Sequence, residues 1–352
     1  MDVHGGKGII MGPRNYLGRS YQGMPIWITV EGANILTRSM MIFGQGAIRC
    51  HPYVLKEMQA ARMEDQQKGL EAFDNSLFGH IGYSIGNAIR SMVLGLSFAH
   101  FAAVPGDRKT AKYYRKLTRY SAALAFASDI AMLTLGGKLK HKERISARLG
   151  DVLSQLYICS AMLKRFELQG RPAADQPILA WAFHDAIYKI QTALGSMVDN
   201  FPSLGVRILL AVFIFPFGRH ERQPGDRLSH RVTQLLMSPS ETRKRLTDGI
   251  FISDKASNAV GLLELALPRV IAIEPLERHL LKAQAAGELD AVDIQSLLKQ
   301  ALEKSIISAD EKKELEAVRA MVTEIIAVDE FESEYLRMGA GGETEAVAEQ
   351  VV

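Results

Sequence analysis

The chain has 352 residues, enough for two domains, and its 47% hydrophobic and 23% charged residues are typical of a soluble globular protein. The net charge of +3, with both signs interspersed, argues against a dedicated nucleic-acid binder, which would concentrate basic residues on one face. Two distant cysteines, Cys50 and Cys159, form no disulfide framework and indicate a reducing compartment, the cytoplasm. The nine histidines have no zinc-ligand spacing, so no metal site is predicted.

The first 30 residues are rich in glycine and proline and predict loops. No positively charged lead followed by an apolar segment opens the chain, so no signal peptide is expected. The turn Gly5-Gly6-Lys7-Gly8 could let backbone N–H groups approach a phosphate, but it is neither a P-loop nor a dinucleotide fingerprint. The chain starts on this turn as though in the middle of a domain.

The most informative stretch is 30–38, where Glu31 and Gly32 precede an apolar helical run. A carboxylate at such a junction can be aimed into a cleft, where its pKa can be tuned for proton abstraction. The alternative is a glutamate in the first turn of a helix, favoured by the helix dipole, and the spacing alone favours this alternative. His4 and His51 lie nearest the motif, and lone histidines of this kind are expected to be structural or solvated rather than catalytic.

The rest of the chain has helical periodicity and no alternating strand pattern, which predicts an all-α fold of packed helical bundles. Gly82 and Gly86 have the spacing of a close approach between two helices. Gly136-Gly137 is expected to separate two long helices. The sequence predicts a buried helix over 35–48, a helix start at His51-Pro52, and further helices over 77–104, 109–135, 143–168 and 178–198.

Helix-start signals and helix-breaking prolines divide the C-terminal part of the chain into segments. The S-x-x-E sequences at Ser238 and Ser308 predict capping boxes, and Pro268 and Pro275 are expected to punctuate the stretch between them. The tail from Gly339 onward is rich in Gly, Glu and Ala and is expected to be disordered.

The apolar segment 208–217 is too short to span a bilayer. Basic side chains flank it within 207–222. A core helix is one interpretation. A shallow contact with the inner membrane face, through Phe213 and Phe215, is the other.

The N-terminal motifs resemble the C-terminal part of the acyl-CoA dehydrogenases, and most closely the large bacterial long-chain enzyme of fatty-acid β-oxidation. The residues that carry the resemblance lie within 2–55: the Gly5-Gly6-Lys7-Gly8 turn, the run Ile28-Thr29-Val30-Glu31-Gly32-Ala33-Asn34-Ile35-Leu36-Thr37-Arg38-Ser39-Met40, and Phe43-Gly44-Gln45-Gly46-Ala47-Ile48-Arg49-Cys50-His51-Pro52. The later helices resemble, less specifically, the extra C-terminal domain of those bacterial enzymes.

The resemblance implies a role for each matching residue. Glu31 would remove the α-proton of a fatty acyl-CoA while the flavin of FAD takes the β-hydride, giving a trans-2-enoyl-CoA. Gly32 would lie against the substrate thioester, and Arg38 would be structural. The FAD-binding residues would be Gly5, Gly6, Ala33 and Asn34. The family usually has Tyr and Thr around the Glu-Gly pair, where this chain has Val30 and Ala33.

The resemblance also implies an organisation. Residues 1–55 would end the dehydrogenase C-terminal domain, 56–335 would form the helical extension, and 336–352 the tail. The family's N-terminal helical and middle β domains are not in the sequence, so the isolated chain is expected to bind FAD weakly and turn over no substrate. Expected partners are a second copy or a missing N-terminal half. The alternative is a non-catalytic helical module for dimerisation or membrane docking, left by a truncated or split gene.

Overall fold

A computed structural model describes residues 1–30, 35–105, 107 and 109–331, and every regular element in these residues is helical. This confirms the predicted all-α class. The α-helices are α1 (Gly18–Gly23), α2 (Pro25–Val30), α3 (Gly46–Cys50), α4 (Val54–Ala60), α5 (Gln66–Leu96), α6 (Ala111–Leu135), α7 (Glu143–Leu168), α8 (Gln176–Asp199), α9 (Leu204–Ile214), α10 (Asp226–Leu236), α11 (Glu241–Thr247), α12 (Ala259–Ala285), α13 (Ile294–Glu303) and α14 (Ala309–Ile326).

Other helical types complete the chain. A π-helix spans Ile35–Gln45, and 3₁₀ helices span Asp2–Gly8, Gly136–His141 and Ala173–Asp175. The chain divides into two compact units, one formed by 28–235 and the other by 1–27 together with 236–352. The proposed boundaries at 55 and 335 stay predictions, and the tail predicted to be disordered lies outside the described residues.

The core of the 28–235 unit is built on α6, α7 and α8. Helix α7 has the predicted bounds, and its apolar stripe is buried as predicted because α8 packs along it. Leu149 and Leu163 are fully buried, and α6 and α8 add Tyr120, Phe183 and other large side chains to the same core. By length and composition the stretch 111–141 could cross a membrane, but here it supplies buried residues to this core.

The predicted buried helix over 35–48 has a different form. It is a π-helix followed by α3, and only one side of it is buried. Phe43 enters the core, whereas Leu36, Met40 and Met41 are exposed. The prediction of a buried helix was wrong in this respect, because α7 covers only the face that carries Ser39 and Phe43.

Helix α5 extends over 31 residues and buries its polar face. Asn87 and Ser91 point inward, while Phe78, Ile85 and Ile89 on the opposite face are exposed. A Cβ on Gly82 or Gly86 would meet nothing within 4 Å, so the predicted close helix contact at these glycines is wrong for the described chain. The close approach occurs instead at Gly95, where a Cβ would lie 2.9 Å from Pro216 Cγ.

The 208–217 segment, which includes most of α9, has one buried side and one exposed side. Leu210 and Ile214 are buried in the core, and Phe215 is only 7% exposed. Ile208 and Val212 face outward. The phenylalanines proposed for membrane contact therefore belong mainly to the interior, because Phe213 also packs against Phe126.

The 236–331 part of the second unit has its own apolar core from α12, α13 and α14. The Ser308–Glu311 capping box is confirmed, but Ser240 rather than Ser238 caps the earlier helix by accepting from the N–H of Arg243. Pro268 and Pro275 do not punctuate this part, since both lie inside α12. Buried Ile273 and Leu280 and ion pairs from α12 to α14 hold that helix despite the missing N–H donors.

The core of the 28–235 unit gives a direct stability test. Leu163→Ala should lower the free energy of unfolding by about 2–5 kcal/mol, because Leu163 is fully buried and truncation leaves a cavity. Leu168→Ala is the matched control on the same helix, since Leu168 is 73% exposed. Urea denaturation followed by circular dichroism measures both. Equal losses in the two variants would contradict the core described above.

Candidate functional site

The sequence-predicted site is described only in part. Glu31, Gly32, Ala33 and Asn34 lie outside the described residues. Gly5 and Gly6 are described and exposed. Gly5 has a φ of +59°, a conformation that favours glycine, and a Cβ there would meet nothing within 4 Å. The backbone at Gly5 is therefore open to a ligand, as contact with a dinucleotide would require.

The π-helix that follows the Glu-Gly pair is anchored to α7. Arg38 Nη1 donates to Asp151 Oδ1 at 2.8 Å, and Phe43 is 3% exposed in the core. A Cβ on Gly150 of α7 would be in ordinary contact, 3.5 Å, with Arg38 Cγ. The ion pair is partly exposed and contributes at most about 1 kcal/mol, so the packing of Phe43 is the stronger attachment. π-Helical geometry recurs at functional sites, which fits the position of this helix just after Glu31.

A cavity of about 480 Å³ opens beside this helix. Its walls come from five elements of the 28–235 unit: the π-helix, α3, α4, α6 and the segment that joins α6 to α7 and begins α7. Most of the lining is apolar, and a cavity of this size can hold a small ligand. The apolar lining side chains include Met40, Ala47, Ile48, Val54, Met58, Met132 and Leu139, and the polar ones are Ser39, Gln45, Lys140, Glu143 and Ser146.

Next to one wall of the cavity lies a buried polar cluster. His51 Nε2 is 3.0 Å from Asp129 Oδ1, with side chains 6% and 3% exposed. The other carboxylate oxygen of Asp129 accepts from Ser84 Oγ and Asn87 Nδ2, each at 3.2 Å. His80 Nδ1 lies 2.8 Å from Glu57 Oε1, and the two imidazole rings are 4.5 Å apart between centroids.

The two backbone contacts of His51 assign its tautomer. The N–H groups of Tyr53 and Val54 donate to Nδ1 at 3.2 and 3.1 Å, so Nδ1 carries a lone pair. The proton of the neutral ring is then on Nε2, which donates to Asp129. His51 in effect caps the start of α4, which places the helix start two residues after the predicted His51-Pro52 position.

This tautomer limits what the cluster can do chemically. Ligand atoms of His51, His80 and Asp129 lie within 4.8 Å of one another, a geometry that could hold a metal ion. Binding through Nε2 would require Nδ1 to carry the proton, directly against two N–H donors. His51 is likewise unsuited to be a general base, because both of its nitrogens are engaged. The cluster is therefore a structural network in this protonation state.

Sequence reasoning missed this network because its members are far apart in the chain. His51, His80 and Asp129 meet only when α5 and α6 pack together. Gly79 of α5 lets the ring of Tyr53 pack closely against this helix, since a Cβ at Gly79 would lie 2.4 Å from Tyr53 Cε1. The one available signal was the His-Pro pair at a predicted helix start.

Burial makes the network sensitive to acid. Desolvation lowers the pKa of His51 below its ordinary value of 6.5, although the nearby Asp129 opposes the shift. The unfolded chain therefore takes up a proton more readily than the folded one. The stability contribution is complete above about pH 6.5 and falls as the pH drops below it, by at most about 1.4 kcal/mol per unit.

We expect acidification from about pH 7.5 to about pH 5.5 to destabilise the unchanged protein more than His51→Asn, in which the asparagine can still cap α4. Urea denaturation at the two pH values measures the difference. His141→Asn is the control, because His141 is exposed. If His51→Asn and the unchanged protein lose the same stability in acid, the neutral, buried state of His51 is refuted.

Comparison with known proteins adds a family assignment to this geometry. The family model described as "Acyl-CoA dehydrogenase, C-terminal, bacterial type" matches residues 48–331. The match contains the polar cluster and the part of the cavity from Ile48 onward, and it begins after Glu31. No solved structure matches the chain. Since the match covers most of the sequence, the chain belongs to the acyl-CoA dehydrogenase family, as a bacterial-type C-terminal domain.

Proposed function

We propose that the protein serves the α,β-dehydrogenation of long-chain fatty acyl-CoA to trans-2-enoyl-CoA in fatty-acid β-oxidation, with Glu31 as the base that removes the α-proton. The observation that carries the proposal is the family match over 48–331. The Glu31-Gly32 pair directly before the π-helix Ile35–Gln45 adds to it. The long-chain preference rests on the resemblance of the motif within 2–55.

The proposed role of Glu31 has a physical basis. The α-proton of a thioester is too weakly acidic for a carboxylate in water. Desolvation of a carboxylate by a bound substrate raises its pKa and strengthens it as a base. Hydrogen bonds to the thioester oxygen would stabilise the developing enolate. Gly32, which has no side chain, would lie against the thioester as the resemblance implies.

FAD is the cofactor that members of this family generally bind. When bound, it supplies the two-electron redox chemistry of the reaction. The exposed, positive-φ backbone at Gly5 fits contact with its dinucleotide part, because no described group fills the space beside it. Gly5, Gly6, Ala33 and Asn34 are the residues that we propose to hold it.

Proton abstraction can be tested separately from redox chemistry. The protein, supplied with FAD, is incubated with palmitoyl-CoA in deuterium oxide, and label at the α-carbon is measured by mass spectrometry. Glu31→Gln should slow exchange at least about 100-fold, the usual contribution of a general base. Glu64→Gln, at an exposed position, is the control. Bleaching of the flavin spectrum in the same samples reports the redox step.

The possible outcomes test the role of Glu31 and the catalytic activity of the chain separately. Exchange that is equally fast in Glu31→Gln refutes the role of Glu31. Neither exchange nor flavin bleaching is the result expected of the isolated chain if it needs the family's N-terminal helical and middle β domains. The same result in the presence of a polypeptide that carries those domains would favour a non-catalytic module.

Exposed apolar helix faces favour that second candidate, a helical docking module. Phe78, Ile85 and Ile89 form a stripe along α5, which suits a second copy or another dehydrogenase segment as partner. On α9, Ile208 and Val212 are more than half exposed and could enter a membrane surface. Arg219 is paired with Asp199, which reduces the positive charge available there for anionic headgroups.

Membrane docking predicts flotation with anionic liposomes and its loss in Ile208→Glu/Val212→Glu. Phe215→Glu is unsuitable for this test because Phe215 is buried. Leu168→Glu, at an exposed apolar position on α7, is the control and should float normally. Failure of the unchanged protein to float would end the membrane proposal.

A further inference from the structure

We propose that the exposed apolar face of α5 binds a second copy of this chain, with the two α5 helices antiparallel and closest to each other at Gly82. The proposal rests on the helical docking role considered above and commits that role to one partner. Neither Glu31 nor a flavin takes part, so its test is separate from that of dehydrogenation.

The outward side of α5 carries one continuous apolar stripe. Its members, including Gly82, follow one another at intervals of three or four residues, so they lie on a single helix face. At 1.5 Å per residue the stripe is about 27 Å long. Its large side chains are between 45% and 72% exposed: Phe78, Ile85, Ile89, Val93 and Leu96. An exposed apolar face of this extent is typical of a surface that a partner covers.

Two glycines make this face accessible to another helix. Gly82 lies in the stripe, and Gly86 follows one turn later. A Cβ on either glycine would meet nothing within 4 Å, so neither serves a close contact within the described chain. The absence of side chains lets a second backbone approach at this point. The helix contact that the sequence predicts at these glycines is then made between two copies rather than inside one.

Charges beside the stripe favour an antiparallel second copy. Glu71 and Asp74 are exposed near the N-terminal end of α5, Arg90 is exposed in its C-terminal half, and none of the three forms an ion pair within the described chain. Asp74 and Arg90 each lie eight residues from Gly82. An antiparallel pair closest at Gly82 therefore brings Arg90 of one copy to the level of Asp74 of the other, whereas a parallel pair would set like charges side by side.

The same arrangement matches the shape of the face to itself. Phe78 and Gly86 each lie four residues from Gly82, so Phe78 of one copy comes to the level of Gly86 of the other. The missing side chain leaves room for the ring of Phe78, which is 72% exposed. One face thus supplies both the projection and the recess, as an interface with two-fold symmetry requires.

Sedimentation equilibrium over a range of protein concentrations measures the association. The unchanged protein should form dimers, and Gly82→Leu should raise the dissociation constant at least about 10-fold. The leucine has space within one copy but separates the two backbones. Gly205→Leu is the matched control, since Gly205 is an exposed helical glycine on α9 with the same open space around its Cβ position. Circular dichroism checks that both variants fold.

A charge exchange tests the antiparallel arrangement. Arg90→Glu should weaken the dimer about fivefold, because it sets a third carboxylate near two others at the exposed edge of the interface. Adding Asp74→Arg to Arg90→Glu should restore most of the lost affinity, because the pair again has opposite charges. High salt should reduce both differences.

A protein that stays monomeric at every concentration would overturn the proposal, as would a dimer that Gly82→Leu and Gly205→Leu affect equally. Failure of the charge exchange to restore affinity would overturn the antiparallel arrangement. A monomer that binds a polypeptide with the family's N-terminal helical and middle β domains, and loses it in Gly82→Leu, would assign the face to that partner instead. These results do not involve Glu31, so the deuterium exchange experiment alone decides the dehydrogenase function.

Discussion

The buried carboxylate of Asp129 is the constraint on which the α4–α5–α6 part of the larger unit depends. It accepts from His51, Ser84 and Asn87, and thereby joins the turn before α4, helix α5 and helix α6. A carboxylate 3% exposed is tolerated only when its oxygens have donors. The fold therefore has to bring α5 to α6 with its polar face inward, and this in turn directs the apolar stripe of α5 outward.

The two sides of α6 are consequently held by different kinds of contact. Toward α7 and α8 the contact is apolar and densely packed, with Tyr120 and Leu149 fully buried. Toward α5 the contact relies on directional hydrogen bonds, such as those from Ser84 Oγ and Asn87 Nδ2 to Asp129. Hydrogen bonds specify one register, whereas apolar packing supplies most of the stabilisation.

This difference explains what could be predicted from the sequence. Helix α7 and the Ser308 capping box were predictable because a local pattern determines each of them. The orientation of α5 was not, because periodicity shows that a face is apolar without showing that a neighbour covers it. The prediction that Pro268 and Pro275 interrupt the chain failed for a similar reason. Contacts between α12 and α14 outweigh the local tendency of proline to end a helix. For the site, the sequence offered the Glu31 motif, which lies outside the described residues and stays a prediction. The His51 cluster and the cavity could not be predicted, because they exist only after distant elements have packed.

The polar cluster and the cavity share helix α4, which couples them. Val54 and Met58 form a wall of the cavity, while His51 caps the start of α4 and Glu57 accepts from His80 on α5. Protonation of Nδ1 would set a new N–H against the donors of Tyr53 and Val54 and loosen that wall. The network is thus structural in its bonds, and through α4 it reaches the cavity wall that Val54 and Met58 form.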